Sequence, residues 1–180
     1  MAGLVARPTR LILIGPECTG KTTLARGLAA VLGALWTPEA ARLVAEGSAT
    51  PLSAATVEPI ARLAMALEDA GRATAAPWLV QDTDLVSTVV YARHYYGACP
   101  AWIEAEARRR LGDRYLLCAP DLPWTADGVR DRGDARPALF AEFLATLDTF
   151  GARIALVGGT GAGRLAAARA AGEAARAGTR

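Results

Sequence analysis

A chain of 180 residues that is 52% hydrophobic and 21% charged, with mean hydropathy +0.21, has the length and apolar content for a packed core and is not composed like a disordered chain. No apolar run approaches the roughly 18 residues of a membrane span, and Leu11–Ile14, behind Arg7 and Arg10, is shorter than the roughly 7–15-residue core of a signal peptide, so a cytoplasmic protein is expected. A net charge of +2 excludes no small-molecule chemistry but speaks against nucleic acid or an anionic membrane as partner, and Cys18, Cys99 and Cys118, odd in number and far apart, speak against a disulfide framework or a zinc site.

In chain order, the aliphatic run from Arg10 to Ile14 reads as a buried parallel strand. It leads into Gly15-Pro16-Glu17-Cys18-Thr19-Gly20-Lys21-Thr22, which fits the phosphate-loop pattern G-x-x-x-x-G-K-[ST]. All but one of the 20 basic residues are arginine, and the single lysine is the one this motif requires. Leu24, Leu28, Val31 and Leu32 then share one face of a helix that ends near Gly33. Strand, glycine loop and helix arrive in the order the motif needs. The glycines let backbone N–H groups of Gly15, Glu17, Cys18, Thr19, Gly20, Lys21, Thr22 and Thr23 wrap phosphates, helped by the positive end of the helix. Lys21 is then placed to reach the β- and γ-phosphates of ATP, and the Thr22 hydroxyl to bind Mg²⁺.

A second short strand is expected at 34–36, with Thr37 as N-cap and Pro38 in the first turn of a helix continuing from Ala40 to Glu46. Apolar spacing predicts a helix within 53–75, and Trp78–Gln81 reads as a buried strand ending at Asp82-Thr83-Asp84. Leu85, Val89 and Ala92 predict the next helix and 101–111 another, in which Arg108, Arg109 and Arg110 read as a solvated face. Tyr115–Cys118 reads as strand four, 120–134 as a loop rich in Pro, Gly, Asp and Arg, 136–149 as helix, Arg153–Val157 as strand five, and a weakly amphipathic Ala-rich helix prone to fray follows from Gly163. The alternation predicts one α/β domain over 1–180: a five-stranded parallel sheet in a three-layer phosphate-loop fold of nucleoside- and nucleotide-kinase type, with a lid at about 120–136.

The guanine-specifying N-K-x-D motif needs a second lysine and no L-S-G-G-Q segment is present, which points away from GTP switches and transporter ATPases toward a small-molecule kinase. The chain resembles the ribosylnicotinamide kinase domain of the NadR-type bacterial NAD-biosynthesis proteins from about Arg10 to Arg164. The resemblance lies in GPECTGKTTLA (15–25), PEAAR (38–42), DTD (82–84), YYGACP (95–100), DRYLLCAPDLPWTADGVRDRGDAR (113–136) and the G-x-x-x-x-R of Gly159 to Arg164. It implies ATP- and Mg²⁺-dependent phosphorylation of nicotinamide riboside to nicotinamide mononucleotide. The chain departs from the pattern at Cys18, where the family usually has Ser, and its one histidine, His94, leaves no H-x-G-H adenylyltransferase motif. A stand-alone kinase is expected, with neither that second activity nor a DNA-binding helix-turn-helix ahead of Arg10.

Phosphoryl transfer is mostly positioning and charge stabilisation, so the site needs a metal, cations and a group to orient the attacking hydroxyl. Asp82, closing a buried strand, is the candidate Mg²⁺-shell carboxylate. Asp84 is a base or ribose contact, or simply a helix cap. Glu39, after strand two, is placed to orient the acceptor hydroxyl, with Arg42 one turn on. The choice of base among Glu39, Asp82 and Asp84 stays open. Of the lid arginines Arg130, Arg132 and Arg136, the resemblance favours Arg130 and Arg136 on the phosphates, whereas Asp127, Asp131 and Asp134 could simply pair with them. The nicotinamide ring is a cation, which Trp124 and Asp127 suit, with Asp131 alongside; Tyr95, Tyr96 and Trp36 compete for that role. Arg164 is placed against adenine. Other nucleosides, a polynucleotide 5′-end, or an ATP-binding sensor without turnover are the alternative readings.

Overall fold

A computed structural model describes residues 7–124 and 135–178. Five strands form one parallel sheet in the order β2-β3-β1-β4-β5: β1 Thr9–Ile14, β2 Leu35–Thr37, β3 Trp78–Asp82, β4 Arg114–Cys118 and β5 Ile154–Val157. The helices are α1 Lys21–Leu32, α2 Ala40–Glu46, α3 Val57–Arg72, α4 Leu85–Tyr96, α5 Ala101–Arg109, α6 Arg136–Thr149 and α7 Gly161–Ala177, with a 3₁₀ turn at Ala54–Thr56 before α3. This is the three-layer α/β phosphate-loop fold that the alternation of strands and helices predicts. No helix among the described residues is long and apolar enough to cross a membrane.

Every residue of β1 is buried, as a central parallel strand requires. Its alternation sorts the two layers: Leu11 and Leu13 pack toward α1 and α7, and Ile12 and Ile14 toward α4 and α6. β4 alternates likewise, with Leu116 and Cys118 on the first side and Tyr115 and Leu117 on the second.

Three local expectations are corrected. β2 runs through Thr37, which pairs with Gln81, so α2 takes Glu39 rather than Thr37 as its N-cap. α7 packs rather than frays: Arg164, Ala168, Gly172 and Ala175 are buried, and a Cβ on Gly172 would come within 2.7 Å of Leu11 Cδ1. Arg110 is no solvated residue, because its guanidinium lies 2.6 Å from Asp69 and 3.3 Å from the buried Glu68. Arg109 is exposed and pairs with Glu106, while Arg108 lies over the Phe150 ring at 3.9 Å.

Candidate active site

β1 pairs with β3 so that Leu13 stands opposite Asp82, which brings the loop after Ile14 alongside the last residue of β3. The loop is held by positive backbone angles. Gly15 has φ 138°, and a Cβ there would meet the Cys118 carbonyl oxygen at 2.8 Å, so only glycine fits. Cys18 also takes a left-handed φ of 54°, a cost an L-residue bears where the surrounding loop demands it. Gly20 caps α1 and Lys21 opens it.

Inside the loop the Lys21 ammonium donates to the Pro16 carbonyl at 2.6 Å, and the Thr19 hydroxyl to the same oxygen at 2.9 Å. The Thr22 hydroxyl donates to Asp82 Oδ2 at 2.5 Å, and Asp82 Oδ1 is buried without a hydrogen-bond partner. Thr23 is exposed. Burial, and then the nearby Glu39 carboxylate, push Asp82 above its ordinary pKa, while the Thr22 hydrogen bond, Lys21 and Arg42 favour its ionised form. Glu39, Arg42, Asp82, Lys21 and Thr22 are therefore one electrostatic neighbourhood. A hydroxyl and a carboxylate with an unmatched buried oxygen are the hard oxygen donors that Mg²⁺ takes, so the pair fits that ion.

Asp84 is committed to the scaffold. Its Oδ1 caps α4 by accepting from the Val86 N–H at 2.9 Å, and its Oδ2 accepts from the Tyr115 hydroxyl at 2.6 Å. Burial raises its pKa to about 6 against these two hydrogen bonds. Between Asp82 and Asp84, Thr83 takes φ 68°, strained for a β-branched residue.

Beside the loop opens a cleft of about 320 Å³, lined among others by Glu39, Thr83, Asp84, Tyr91, Tyr95 and Tyr96. α4 ties it to the loop: the Tyr95 hydroxyl donates to Glu17 Oε1 at 2.6 Å and the Tyr91 hydroxyl to the Gly15 carbonyl at 3.4 Å. Sequence reasoning passed over Tyr91; its spacing of four from Tyr95 on a helix was the available signal. His94 sits on Glu142 at 3.0 Å, and Trp36 lies under the Arg26 guanidinium on the α1 side of the sheet. Trp124 is 44% exposed and does not line the cleft.

Arg164 is only 5% exposed and its guanidinium binds protein groups: the Thr19 carbonyl at 2.8 Å, the Gly159 carbonyl at 2.9 Å and Asp121 Oδ1 at 2.8 Å. It braces the phosphate loop from α7, with Asp121, which sequence reasoning missed, as the shared anchor. Arg136 donates to the Pro120 and Leu122 carbonyls at 2.6 and 2.9 Å and clasps the two ends of the 120–136 segment. Asp127, Arg130, Asp131, Arg132 and Asp134 lie outside the described residues.

Among solved structures, NadR in complex with NAD and AMP-PNP and NadR in complex with NR each match at TM-score 0.71 and 21% identity, over 91% of this chain. The chain spans about half of NadR, 48% and 49% of the two chains. Thymidylate kinase from Candida albicans matches at TM-score 0.68 and 16% identity over 96% of this chain and 93% of its own, and thymidylate kinase from Ehrlichia chaffeensis at 0.65 and 12% over 97% and 100%. At these identities the likeness is one of fold. No curated protein matches the chain by sequence. A family model described as an AAA domain, AAA_28, matches residues 10–164, from the first residues of β1 to the arginine that braces the loop, and the chain belongs to that family.

Proposed function

We propose that the chain is a kinase that transfers the γ-phosphoryl group of ATP to the 5′-hydroxyl of nicotinamide riboside, giving nicotinamide mononucleotide and ADP. The observation that carries this reading is the cleft: Tyr91, Tyr95, Tyr96 and Glu39 line it, and two of the tyrosines bond directly to the phosphate loop. A flat cationic ring is attracted by aromatic faces and balanced by carboxylates. At about 320 Å³ the space is at the lower end of small-molecule sites, as a nucleoside requires.

In this reading Lys21 exchanges the Pro16 carbonyl for phosphate oxygens, while the backbone N–H groups of Gly15 and of Glu17 to Thr23 hold the rest of the triphosphate. Thr22 and Asp82 hold Mg²⁺, which when bound neutralises developing charge on the phosphoryl oxygens. Glu39 orients the acceptor hydroxyl. It lines the cleft and lies close enough to Asp82 to raise that group's pKa, whereas both oxygens of Asp84 are already bonded within the scaffold. Arg42 offsets the two carboxylates. Arg130 and Arg136 are assigned to the closing segment, and Asp127 and Asp131 to the acceptor side.

Incubating the protein with Mg·ATP and a panel of nucleosides and nucleoside monophosphates, and following products by mass spectrometry, tests the proposal. Nicotinamide mononucleotide with matched ADP is expected. Phosphorylation of another panel member alone would replace the acceptor, and ATP binding with no phosphorylated product would favour a sensor.

A further inference from the structure

The phosphate loop carries a carboxylate of its own. Glu17, third in the loop, is buried, and a loop that wraps a polyanion is an unfavourable place for a negative charge, because like charges a few ångströms apart in a partly desolvated site repel strongly. Its charge is met from α4, by the Tyr95 hydroxyl at 2.6 Å, within the range of a charge-assisted hydrogen bond. The donor is fixed in place. The Tyr95 ring stacks on Tyr91 at 6.0 Å and 6°, and the edge of His94, itself held on Glu142, meets it at 4.8 Å. One turn away the Tyr91 hydroxyl reaches the Gly15 carbonyl, so α4 grips the loop twice.

We propose that Tyr95 is a positioning residue that holds the Glu17 carboxylate against α4 and off the phosphate cradle, so that its hydroxyl sets the affinity of the loop for a nucleoside triphosphate. The proposal assigns Glu17 the opposite of a phosphate-binding role for its side chain, and leaves only its backbone to the phosphates. It rests on the reading of the loop as a triphosphate site. It does not depend on which acceptor enters the cleft.

The test is a double-mutant cycle on Mg·ATP binding by calorimetry, without acceptor, using wild type, Tyr95→Phe, Glu17→Gln and the double variant. Phenylalanine preserves the ring stack and removes only the hydroxyl. Tyr95→Phe should weaken Mg·ATP by roughly tenfold, the scale of one hydrogen bond to a charged group. Glu17→Gln should bind at least as tightly as wild type, because it removes the repulsion. In the Glu17→Gln background the same Tyr95→Phe change should cost less than about twofold. An equal loss in both backgrounds would mean that Tyr95 merely supports the fold, and overturns the proposal; so does a Tyr95→Phe variant that binds like wild type. The Glu17→Gln arm stands even if Tyr95→Phe does not fold, since weakened binding there also overturns it. Wild type that fails to bind Mg·ATP overturns the triphosphate reading and this one together, whereas wild-type binding without the predicted pattern overturns this one alone.

Discussion

The Lys21 side chain is buried, yet its ammonium bonds to a loop carbonyl and not to the core, so its removal should spare the fold. Lys21→Ala is expected to lose turnover by at least about 10³-fold, in keeping with a group that stabilises the transferring phosphoryl oxygens, with a melting temperature close to wild type. Near-normal turnover in the folded variant would remove the loop from the chemistry. Asp84 gives a pH signature. Its pKa rises from an ordinary 3.8 to about 6 in the fold, so the native state binds the proton more tightly than the unfolded chain. Stability from this group is full below about pH 4 and is lost as pH rises through about 6, a fall of about 3 kcal/mol. Denaturant melts in EDTA should show that fall in wild type and not in Asp84→Asn; parallel curves would mean that Asp84 is not desolvated. Lys21, Thr22 and Asp82 were legible because a fixed spacing and a strand end locate them. The commitment of Asp84 to Tyr115, 31 residues away, was not, because no local pattern records a bond across the sheet.

The loop is an element stapled from outside. Arg164 at the start of α7 joins the Thr19 carbonyl, the Gly159 carbonyl and Asp121, so three segments distant in sequence share one guanidinium. Arg164→Ala should lower stability by roughly 1–3 kcal/mol and weaken Mg·ATP, since it leaves the buried Thr19 carbonyl unmatched. Arg164→Lys should restore little, because a single ammonium cannot reproduce the planar fork. Chemical denaturation and calorimetry on both variants measure this, and full recovery with lysine would argue for charge alone. Sequence reading placed Arg164 at the site but aimed it at adenine, since spaced glycines before an arginine look alike in a nucleotide-facing loop and in a brace. Element ends were read to within a residue or two where caps or glycines mark them. α2 was misread at its start because strand pairing of Thr37 outweighs the cap preference of threonine.

Beneath the sheet lies a buried ionic cluster that no motif announced. Arg10, 3% exposed, donates to Gln81 Oε1 at 2.9 Å and to the carbonyls of Arg110 and Leu111, and meets the 2%-exposed Glu68 at 3.1 Å. Glu68 also meets Arg72 and Arg110, so β1, α3 and the residue that ends α5 converge on one carboxylate, and Arg10 ties β3 to it through Gln81. Glu68→Ala is expected to destabilise the whole molecule by about 3–5 kcal/mol, by taking from buried Arg10 its ion-pair partner. Urea midpoints decide this, and a loss under about 1 kcal/mol would mean that water reaches the cluster. The parallel sheet was legible in the aliphatic runs and their spacing, because two-sided burial writes itself into composition. The cluster was not, because a charged residue opening a strand reads as surface until its partners are known.

The strand order carries one more consequence, for synthesis on the ribosome. β1 is central, but its neighbours come late: Thr9 pairs with Trp78, and Leu11 with Arg114. At roughly 5–20 residues per second, the Leu-Ile-Leu-Ile strand emerges on the order of ten seconds before its second partner exists. Until β3 is made, an apolar, β-prone segment has no strand to pair with, and until β4 is made one of its edges stays open. The central strand of the finished sheet is thus the part of the nascent chain that waits longest with an unpaired edge, and truncated chains ending before β4 are expected to aggregate more readily than the full chain.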